Sequence, residues 1–517
     1  MIAAPADRIA GGRSAAAAAL LLAAVLGALQ TPAFVHTRAL WWLPLACTAG
    51  LAALVGQAAP RRAAALGWCF GSAWLGAAVW WLFISLHRYG HLPAPLAVAA
   101  VALLCGALSL YLALAMAWAA RRRSGRPLAD AAWFAIGWLA AELARALLFT
   151  GFPWAATGYS QVDGPLAALA PWVGVYGIGA ALAFAAALPV IAWGHTGWRA
   201  RGGAAALALA LVALPAAVGR VEFSRPAGTL QVALLQTNVA QDEKFVLANL
   251  PATLDWVAAA LGQAQADLVV APETAVPLLP DQLDELAPGY WAGLQQHFSR
   301  PGGPAALIGV PLGDERTGYT NSAVGLSAAA TYRYDKTHLV PFGEFIPTGF
   351  RWFTELMSIP LGDFNRGPRR APAFEVRGQR LAPNICYEDL FGEDLAQRFT
   401  DPDPASAPTM LVNLSNIAWF GDSIAIDQHL AISRLRSLEL QRPMLRATNT
   451  GATAVIDHRG EVTASLPAFS RGVLQATVQG REGLTPFVRW VAVTGLWPLL
   501  IAAVLALAWP RRGARPR

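Results

Sequence analysis

The sequence predicts two kinds of structure in one chain: a bundle of membrane-spanning helices, and a water-soluble α/β domain inserted before the last helix. Of the 517 residues, 56% are hydrophobic and 14% are charged, and the apolar residues gather in runs of about 20. The acidic residues gather instead in one internal block, since 28 of the 32 Asp and Glu lie between positions 220 and 489. Short β-branched runs alternate with helical stretches in that block, which is typical of a layered α/β domain.

Eight apolar runs are long enough to cross a bilayer core of about 30 Å as helices. They fall at about 15–32, 39–58, 64–86, 93–120, 130–150, 172–194, 203–219 and 488–509. The first run follows Arg8 and Arg13 as a signal peptide would, but the regular series of later runs favours a retained first helix. We therefore predict a polytopic membrane domain with eight spans. Its seven-helix part covers residues 1-219, the soluble domain covers 220-487, and the eighth helix with a basic tail covers 488-517.

The loops between the predicted spans carry arginine mainly on one side of the membrane. Fourteen arginines fall on that side, whereas the opposite short loops carry Arg38 and Arg88. Because loops rich in Lys and Arg stay in the cytoplasm, we predict cytoplasmic termini and a periplasmic soluble domain at a bacterial inner membrane. The soluble block has 22 basic and 28 acidic residues, so the net charge of +7 gives no indication of nucleic-acid binding.

One charged pair lies within the predicted fifth span. Glu142 and Arg145 are three residues apart on one helical face, and charges inside a membrane are usually paired, so we predict a structural ion pair. A transporter that carries an accessory domain is an alternative class. It would need charged, discontinuous helices around a midplane site, for which this pair is the one candidate.

The soluble block contains predicted strands and helices in alternation. Strands are predicted at about 230–236, 267–271, 306–310, 409–413 and 453–456, and helices at about 246–265 and 427–441. Residues able to do chemistry follow such runs, where the sheet fixes a side chain that the adjoining loop exposes. Glu273 follows the run at 267–271, and Glu344 lies in the loop-like stretch Pro341–Pro347.

A single cysteine marks the soluble block. Cys386 lies in the stretch Asn384–Glu388, whereas Cys47, Cys69 and Cys105 lie in apolar runs. A thiol is the most nucleophilic of the common side chains, and a lone thiol in the periplasm has no partner for a disulfide. Cys386 is therefore a candidate nucleophile.

Lysine is nearly absent from this chain. Of the 39 basic residues only Lys244 and Lys336 are Lys, which suggests positions that need a compact ammonium. His338 is two residues from Lys336, on the same face of a strand, so a Cys–His pair stays open as a rival. No metal site is predicted, because the eight His are scattered and no paired metal-binding motif occurs.

Three motifs, Ala271–Thr274, Tyr334–Pro347 and Asn384–Glu388, together resemble the Glu-Lys-Cys triad of the carbon–nitrogen hydrolase (nitrilase) superfamily. In combination with the eight predicted spans, they resemble the apolipoprotein N-acyltransferase family, whose members are membrane-bound. Four further segments fit this family, at 150–154, 158–161, 418–423 and 442–446. Phe245 after Lys244 departs from the expected Trp but keeps the aromatic character.

The resemblance implies that the soluble domain is a nitrilase-like α-β-β-α sandwich with the catalytic residues Glu273, Lys336 and Cys386. Glu273 is then the general base that takes the thiol proton. Lys336 is expected to lower the pKa of the thiol and to stabilise the developing oxyanion.

The resemblance also assigns residues around this triad. Glu344 and Glu388 are expected to hold Lys336 and its loop, while Tyr387 lines the pocket and offers its backbone N–H as the second oxyanion donor. The apolar run 350–361 is interpreted as a mobile lid that dips toward the membrane. Residues expected in the lid or at the substrate opening are Phe245, Trp352, Phe353, Trp419 and Phe420.

The implied reaction is N-acylation of the α-amine of the N-terminal diacylglyceryl-cysteine of apolipoproteins, the last step of lipoprotein maturation. Cys386 takes the sn-1 acyl chain of a phospholipid, typically phosphatidylethanolamine, as a thioester, and the amine then attacks that thioester in ping-pong order. No cofactor and no metal are implied. A membrane-anchored amidase or nitrilase that acts on a small amide is the alternative, which the apolar run 350–361 and the number of spans disfavour.

Overall fold

The computed structural model of the protein describes residues 5–195, 197–218, 221–314, 316–329, 331–347, 349, 363–400 and 406–508. The chain divides into two compact units. The first contains Met1–Trp80, Ala94–Val221 and Leu496–Arg517, and the second contains Trp81–Pro93 and Glu222–Gly495. Residues Trp81–Pro93 therefore pack with the second unit, although the apolar run at 64–86 predicts that a span continues into them.

The first unit is a bundle of helices. Its α-helices are Pro5–Leu29, Thr37–Leu40, Leu43–Gly56, Pro60–Ala78, Ala94–Arg122, Pro127–Leu147, Ala170–His195, Trp198–Val218 and Trp497–Ala508. Short 3-10 segments lie at Thr31–Phe34, Leu148–Thr150, Thr157–Gln161 and Pro165–Leu169. Pro60 and Pro127 open two of the long helices, at a position where the missing N–H costs no helical hydrogen bond.

Aromatic rings and a glycine allow close packing in this bundle. The Trp74 ring stacks on Trp138 with centroids 5.8 Å apart, and Phe70 meets Trp138 edge-on at 6.1 Å. At Gly27 a Cβ atom would lie 2.0 Å from the backbone oxygen of Phe70. A side chain at Gly27 would therefore force the helices Pro5–Leu29 and Pro60–Ala78 apart.

Several helices of the described chain are long and apolar enough to cross a membrane. Four qualify singly: Ser14–Phe34, Ala94–Arg122, Pro127–Thr150 and Pro165–Gly194. Counting each of two bent helix pairs as one span raises the number to six. The helix Leu43–Gly56 has 14 residues and is shorter than a span needs. A membrane protein with four to six spans is therefore supported, and the count of eight stays a prediction.

The charged pair of the first unit is buried between helices. Glu142 Oε1 lies 3.8 Å from Arg145 Nη2, which confirms the predicted ion pair. Glu142 accepts hydrogen bonds from the N–H and hydroxyl of Thr157 at 2.7 and 2.8 Å, and Arg145 donates to the Trp154 carbonyl at 2.6 Å. The pair is thus held by the bundle itself, which disfavours the transporter alternative.

The second unit is built on two six-stranded sheets. In chain order the strands are β1 (Arg225–Gln236), β2 (Leu268–Val270), β3 (Ala305–Asp314), β4 (Gly318–Leu326), β5 (Tyr332–Asp335), β6 (Phe374–Val376), β7 (Gln379–Ile385), β8 (Met410–Ser415), β9 (Met444–Thr448), β10 (Ala454–Ile456), β11 (Val462–Ser465) and β12 (Gly472–Glu482). One sheet has the order β12-β1-β2-β3-β4-β5 and the other has the order β11-β10-β9-β8-β7-β6. The α-helices of this unit are Leu82–Ile84, Leu250–Gln263, Pro280–Leu286, Tyr290–Phe298, Gly392–Ala396, Ala425–Leu440 and Pro486–Thr494.

The alternation of side chains along each strand separates two cores. In β2, Leu268 and Val270 join the core between the two sheets, whereas Val269 joins the core under the helix Leu250–Gln263. On the far side, the helix Ala425–Leu440 packs against β9. The layers are therefore helix, sheet, sheet and helix, which agrees with the layered α/β domain that the strand pattern predicts and with the nitrilase-like sandwich that the resemblance implies.

Strand direction decides where the functional loops emerge. β1, β2 and β3 run parallel in the first sheet, and β7, β8 and β9 run parallel in the second. The loops that follow β2, β7 and β8 thus leave from strand ends that a rigid sheet holds in place. These loops carry Glu273, Cys386 and Asn416.

Candidate active site

Cys386 lies at a strained position directly after β7. It begins the 3-10 turn Cys386–Leu390 with a φ of +52°, in the left-handed region that side chains other than glycine rarely adopt. Its carbonyl oxygen is 3.2 Å from Nδ2 of Asn413 and 3.3 Å from Nε2 of His429. Such strain persists where surrounding contacts enforce it, and it is common at functional sites.

Glu273 lies three residues beyond β2 with its carboxylate buried and fully engaged. Oε1 accepts a hydrogen bond from Nδ2 of Asn321 at 2.7 Å, and Oε2 accepts one from the N–H of Asn416 at 2.8 Å. The loop runs close against β3, because a Cβ atom on Gly309 would lie 2.3 Å from the Pro272 oxygen. Gly309 is thus needed for the observed position of Glu273.

Lys336 brings its ammonium between two carboxylates. It is 1% exposed, and its Nζ lies 2.8 Å from Glu344 Oε1 and 3.6 Å from Glu273 Oε1. Burial by itself would lower the pKa of Lys336, but the Glu344 and Glu273 carboxylates outweigh it and raise the pKa well above its usual range. Lys336 is therefore a permanent cation beside the Glu273 carboxylate.

The electrostatics of the thiol differ from the expectation. Burial, followed by the charge of Glu273, raises the pKa of Cys386 to about 12, although Lys336 and a hydrogen bond with Ser415 act to lower it. Lys336 lowers the pKa of the thiol as expected, but its effect is smaller than that of burial, because desolvation destabilises the thiolate more than one cation stabilises it. The resting group is a thiol that needs a base, and Glu273 is the carboxylate that acts on it most strongly.

Glu344 connects Lys336 to the turn that follows it. Its Oε1 accepts hydrogen bonds from Lys336 Nζ and Asn321 Nδ2, both at 2.8 Å. Its Oε2 accepts one from the N–H of Val340 at 2.8 Å. Asn321 therefore bridges Glu273 and Glu344, and the three groups fix the position of the ammonium.

Glu388 connects the loop that carries Lys336 to the strand that precedes Cys386. Its Oε1 accepts from the N–H groups of Thr337 and His338 at 2.7 and 3.0 Å. Its Oε2 accepts from the Tyr334 hydroxyl and the Ile385 N–H, both at 2.7 Å. Four hydrogen bonds to one buried carboxylate hold the ends of β5 and β7 together.

His338 makes contacts that do not favour the rival Cys–His pair. Its ring stacks on Phe391 with centroids 3.4 Å apart, and its Nδ1 lies 3.0 Å from Asp394 Oδ2. The charged groups that act most on the Cys386 thiol are Glu273, Lys336 and Asp389. A cysteine assisted by Glu273 and Lys336 therefore stays the prediction, in preference to the Cys–His pair.

The structure describes four of the aromatic residues predicted for the pocket and its opening, namely Tyr387, Phe245, Trp419 and Phe420. Tyr387 is 5% exposed and meets Phe391 edge-on at 5.2 Å, while Phe245 is 51% exposed. Trp419 lies in the 3-10 turn Ile417–Phe420. Trp352 and Phe353, with the rest of the predicted lid, lie outside the described residues.

The turn that carries Trp419 packs against residues from the early part of the chain. Trp419 meets Tyr89 edge-on at 5.6 Å, and the Phe420 ring lies 4.2 Å from that of Trp81. Both early rings belong to Trp81–Pro93, in the same compact unit. This segment therefore helps to hold the turn, a role that hydropathy gave no reason to predict.

Some residues of the site were not predicted. Three of them contact Glu273 or Cys386 but lie in no recognisable motif: Asn321, Asn416 and His429. Lys244 was noted as one of the two lysines of the chain but was not assigned to the site. Its Nζ donates to the Glu273 carbonyl at 3.1 Å, and burial lowers its pKa to about 8. Among the described residues, no group of three or more His, Cys, Asp or Glu could hold a metal ion.

Two family models match the chain in succession. Residues 23–188 match the apolipoprotein N-acyltransferase N-terminal domain, and residues 231–486 match carbon-nitrogen hydrolase. The second match includes every member of the Glu-Lys-Cys set. The fold and the polar site therefore lie within the part of the chain that matches the hydrolase family.

Three curated relatives match over nearly their whole length, each named apolipoprotein N-acyltransferase. The relative from Verminephrobacter eiseniae is 54% identical over 92% of this chain and 93% of its own. The relative from Ralstonia nicotianae is 48% identical over 94% and 92%, and that from Bordetella bronchiseptica is 42% identical over 88% and 89%. With both family models matched in order, the chain belongs to the apolipoprotein N-acyltransferase family, a membrane-bound branch of the carbon–nitrogen hydrolases.

Proposed function

We propose that this enzyme moves the sn-1 acyl chain of a phospholipid, with phosphatidylethanolamine as the typical donor, onto the α-amine of an apolipoprotein's diacylglyceryl-cysteine. The main support for this proposal is that three polar groups, Glu273, Lys336 and Cys386, follow separate strands and come together. Lys336 Nζ lies 3.6 Å from Glu273, and both charges act on the Cys386 thiol. In a chain of this family, such a set supports acyl transfer through a thioester.

In the first half-reaction the thiol proton passes to Glu273 as sulfur attacks the ester carbonyl carbon. The oxyanion of the tetrahedral intermediate is stabilised by Lys336 and by the backbone N–H of Tyr387. The attack forms the C–S bond, and collapse of the intermediate then breaks the C–O bond while the leaving oxygen takes the proton from Glu273. The products are the thioester on Cys386 and a lysophospholipid.

In the second half-reaction the free amine attacks the thioester, and Glu273 accepts the amine proton. The attack forms the C–N bond, and collapse of the tetrahedral intermediate then breaks the C–S bond and returns the proton to sulfur. Glu344 and Glu388 act by holding Lys336 and its loop. Neither half-reaction needs a cofactor. The aromatic residues that we propose to border the lipid substrates are Phe245, Trp352, Phe353, Trp419 and Phe420.

The thioester is the test of this proposal. We expect purified enzyme, incubated with phospholipid labelled in its sn-1 chain, to gain one labelled acyl group on the peptide that contains Cys386, detected by mass spectrometry. Neutral hydroxylamine should remove it, and peptides with Cys47, Cys69 or Cys105 serve as internal controls.

A lipopeptide acceptor extends the same experiment. A diacylglyceryl-cysteine peptide with a free α-amine should discharge the label into an amide, and its N-acetylated counterpart should not. Labelled free fatty acid without any adduct on Cys386 would argue for the hydrolase alternative instead.

We also propose the full topology. Eight spans, seven within 1-219 and one within 488-517, place the catalytic domain 220-487 in the periplasm with both termini in the cytoplasm. The distribution of arginine supports this arrangement, since fourteen arginines lie on the predicted inner side.

Reporter fusions test the topology. A reporter that is active only in the periplasm should be active when fused after residue 480 and silent when fused after Arg512, because one span separates the two points. A cytoplasmic reporter at the same two points is the matched control. The opposite pattern would show that the orientation is reversed.

A further inference from the structure

A buried polar cluster lies directly behind the nucleophile. It consists of Asp389, His429, Ser433 and Arg446, which are at most 1% exposed, and we call it the Asp389 cluster. His429 Nε2 lies 2.9 Å from Asp389 Oδ1, and Ser433 donates to the other carboxylate oxygen. Arg446 donates to Ser433 and lies 3.5 Å from Asp389 Oδ2. None of these residues has a role in the proposed transfer.

Arginine determines which nitrogen of His429 carries the proton. Arg446 Nη2 lies 3.1 Å from His429 Nδ1, and a guanidinium can only donate. Nδ1 is therefore the acceptor, and the ring hydrogen is on Nε2. That N–H is shared between the Asp389 carboxylate and the Cys386 carbonyl, 3.3 Å away.

The Cys386 carbonyl belongs to the same peptide group as the N–H of Tyr387. In a trans peptide the two point in opposite directions, and the described chain contains no cis peptide bond. Two donors hold the Cys386 carbonyl oxygen: Nε2 of His429, and Nδ2 of Asn413 at 3.2 Å. Anchoring the oxygen therefore also sets the direction of the Tyr387 N–H.

We propose that the Asp389 cluster is a positioning device that fixes the Cys386–Tyr387 peptide so that the Tyr387 N–H is aimed at the developing oxyanion. The inference rests on the proposed function, because it deepens the account of the same site. His429 and Asp389 then affect the rate of acyl transfer without contacting the substrate, because they fix the orientation of the Cys386–Tyr387 peptide.

A purely structural role explains the cluster less well. Burying an Arg and an Asp costs desolvation, and well-packed apolar side chains often replace such groups without loss of stability. The cluster is found where the backbone is strained, since Cys386 has a φ of +52°. A strained backbone conformation persists only where surrounding contacts enforce it, and the hydrogen bond from His429 to the Cys386 carbonyl is such a contact.

Two reactions of the same thiol separate orientation from reactivity. Acylation by p-nitrophenyl butyrate passes through a tetrahedral oxyanion. Alkylation by iodoacetamide displaces iodide at a saturated carbon and forms no oxyanion. A misaimed Tyr387 N–H should therefore slow acylation and leave alkylation nearly unchanged.

The variants are His429→Leu, His429→Gln and the control Glu439→Gln. Glu439 is on the same helix and is as deeply buried, in a pair with Arg436 at 3.0 Å. We expect His429→Leu to slow acylation on the order of 10- to 100-fold with little change in alkylation. His429→Gln, which keeps an N–H donor, should recover most of the rate. Glu439→Gln should lower the unfolding temperature and leave both rates per folded molecule unchanged.

Two results would overturn the inference: equal loss in both reactions, or wild-type acylation in His429→Leu. If His429→Leu does not fold, Asn413→Ala removes the second donor to the carbonyl and must show the same selective loss. A wild-type enzyme that accepts butyrate from the ester but no acyl chain from phospholipid would overturn the proposed donor alone, and would leave this inference standing.

Discussion

Replacing Cys386 by Ala is expected to abolish acyl transfer while the protein still folds and enters the membrane. The thioester needs the sulfur, and the other described cysteines lie in the helical unit. The substitution removes one sulfur atom, so its cost to stability should be small. The measurement is transfer of labelled acyl chain by purified variant, normalised to folded protein. Turnover by Cys386→Ala would contradict a covalent intermediate.

Cys386→Ser sharpens the same test. The buried thiol already has its pKa raised to about 12, and a hydroxyl at the same place ionises far less readily. Glu273 is then too weak a base, so we expect a variant close to inactive. It keeps the size of the side chain better than Ala does, which makes it the matched control for packing. Appreciable acylation of Cys386→Ser would show that the base is stronger than the geometry suggests.

The groups of the site that could be predicted are those that local sequence marks. Glu273 follows a β-branched run that forms β2, Cys386 is the single cysteine of the soluble block, and Lys336 stood out because lysine is rare. Asn321 could not be found in this way, since it binds Glu273 across 48 positions of sequence. Its role exists only once β4 lies beside β3, and an asparagine in a strand carries no such signal.

Two features of the structure could not be predicted from the sequence, for physical reasons. Hydropathy predicts that the run at 64–86 is one span, and in the structure the helix Pro60–Ala78 is followed by a 63° bend, with Trp81–Pro93 packed in the second unit. A run of apolar residues does not reveal whether its end faces lipid or a protein surface. The pKa of Cys386 was expected to fall because Lys336 is near. Burial outweighs that charge, and burial is not visible in the motif.

The exchange Lys336→Arg preserves the charge and is expected to fail. Lys336 is 1% exposed, and its Nζ fits between Glu344 at 2.8 Å and Glu273 at 3.6 Å. A guanidinium is planar and larger, so it cannot place one donor at that point without displacing a carboxylate. Loss of an oxyanion donor costs on the order of 100- to 1,000-fold in rate, and both half-reactions should slow because each passes through a tetrahedral intermediate.

The matched control is the same exchange at the other lysine. Lys244→Arg alters a buried ammonium whose hydrogen bond goes to the Glu273 carbonyl rather than to a carboxylate, so we expect a smaller loss. Trapping the thioester on Cys386 measures the first half-reaction, and discharge to a lipopeptide amine measures the second. Wild-type acylation in Lys336→Arg would make Lys336 a structural charge. The oxyanion donor would then have to be sought elsewhere, beginning with Lys244, whose Nζ donates to the Glu273 carbonyl at 3.1 Å.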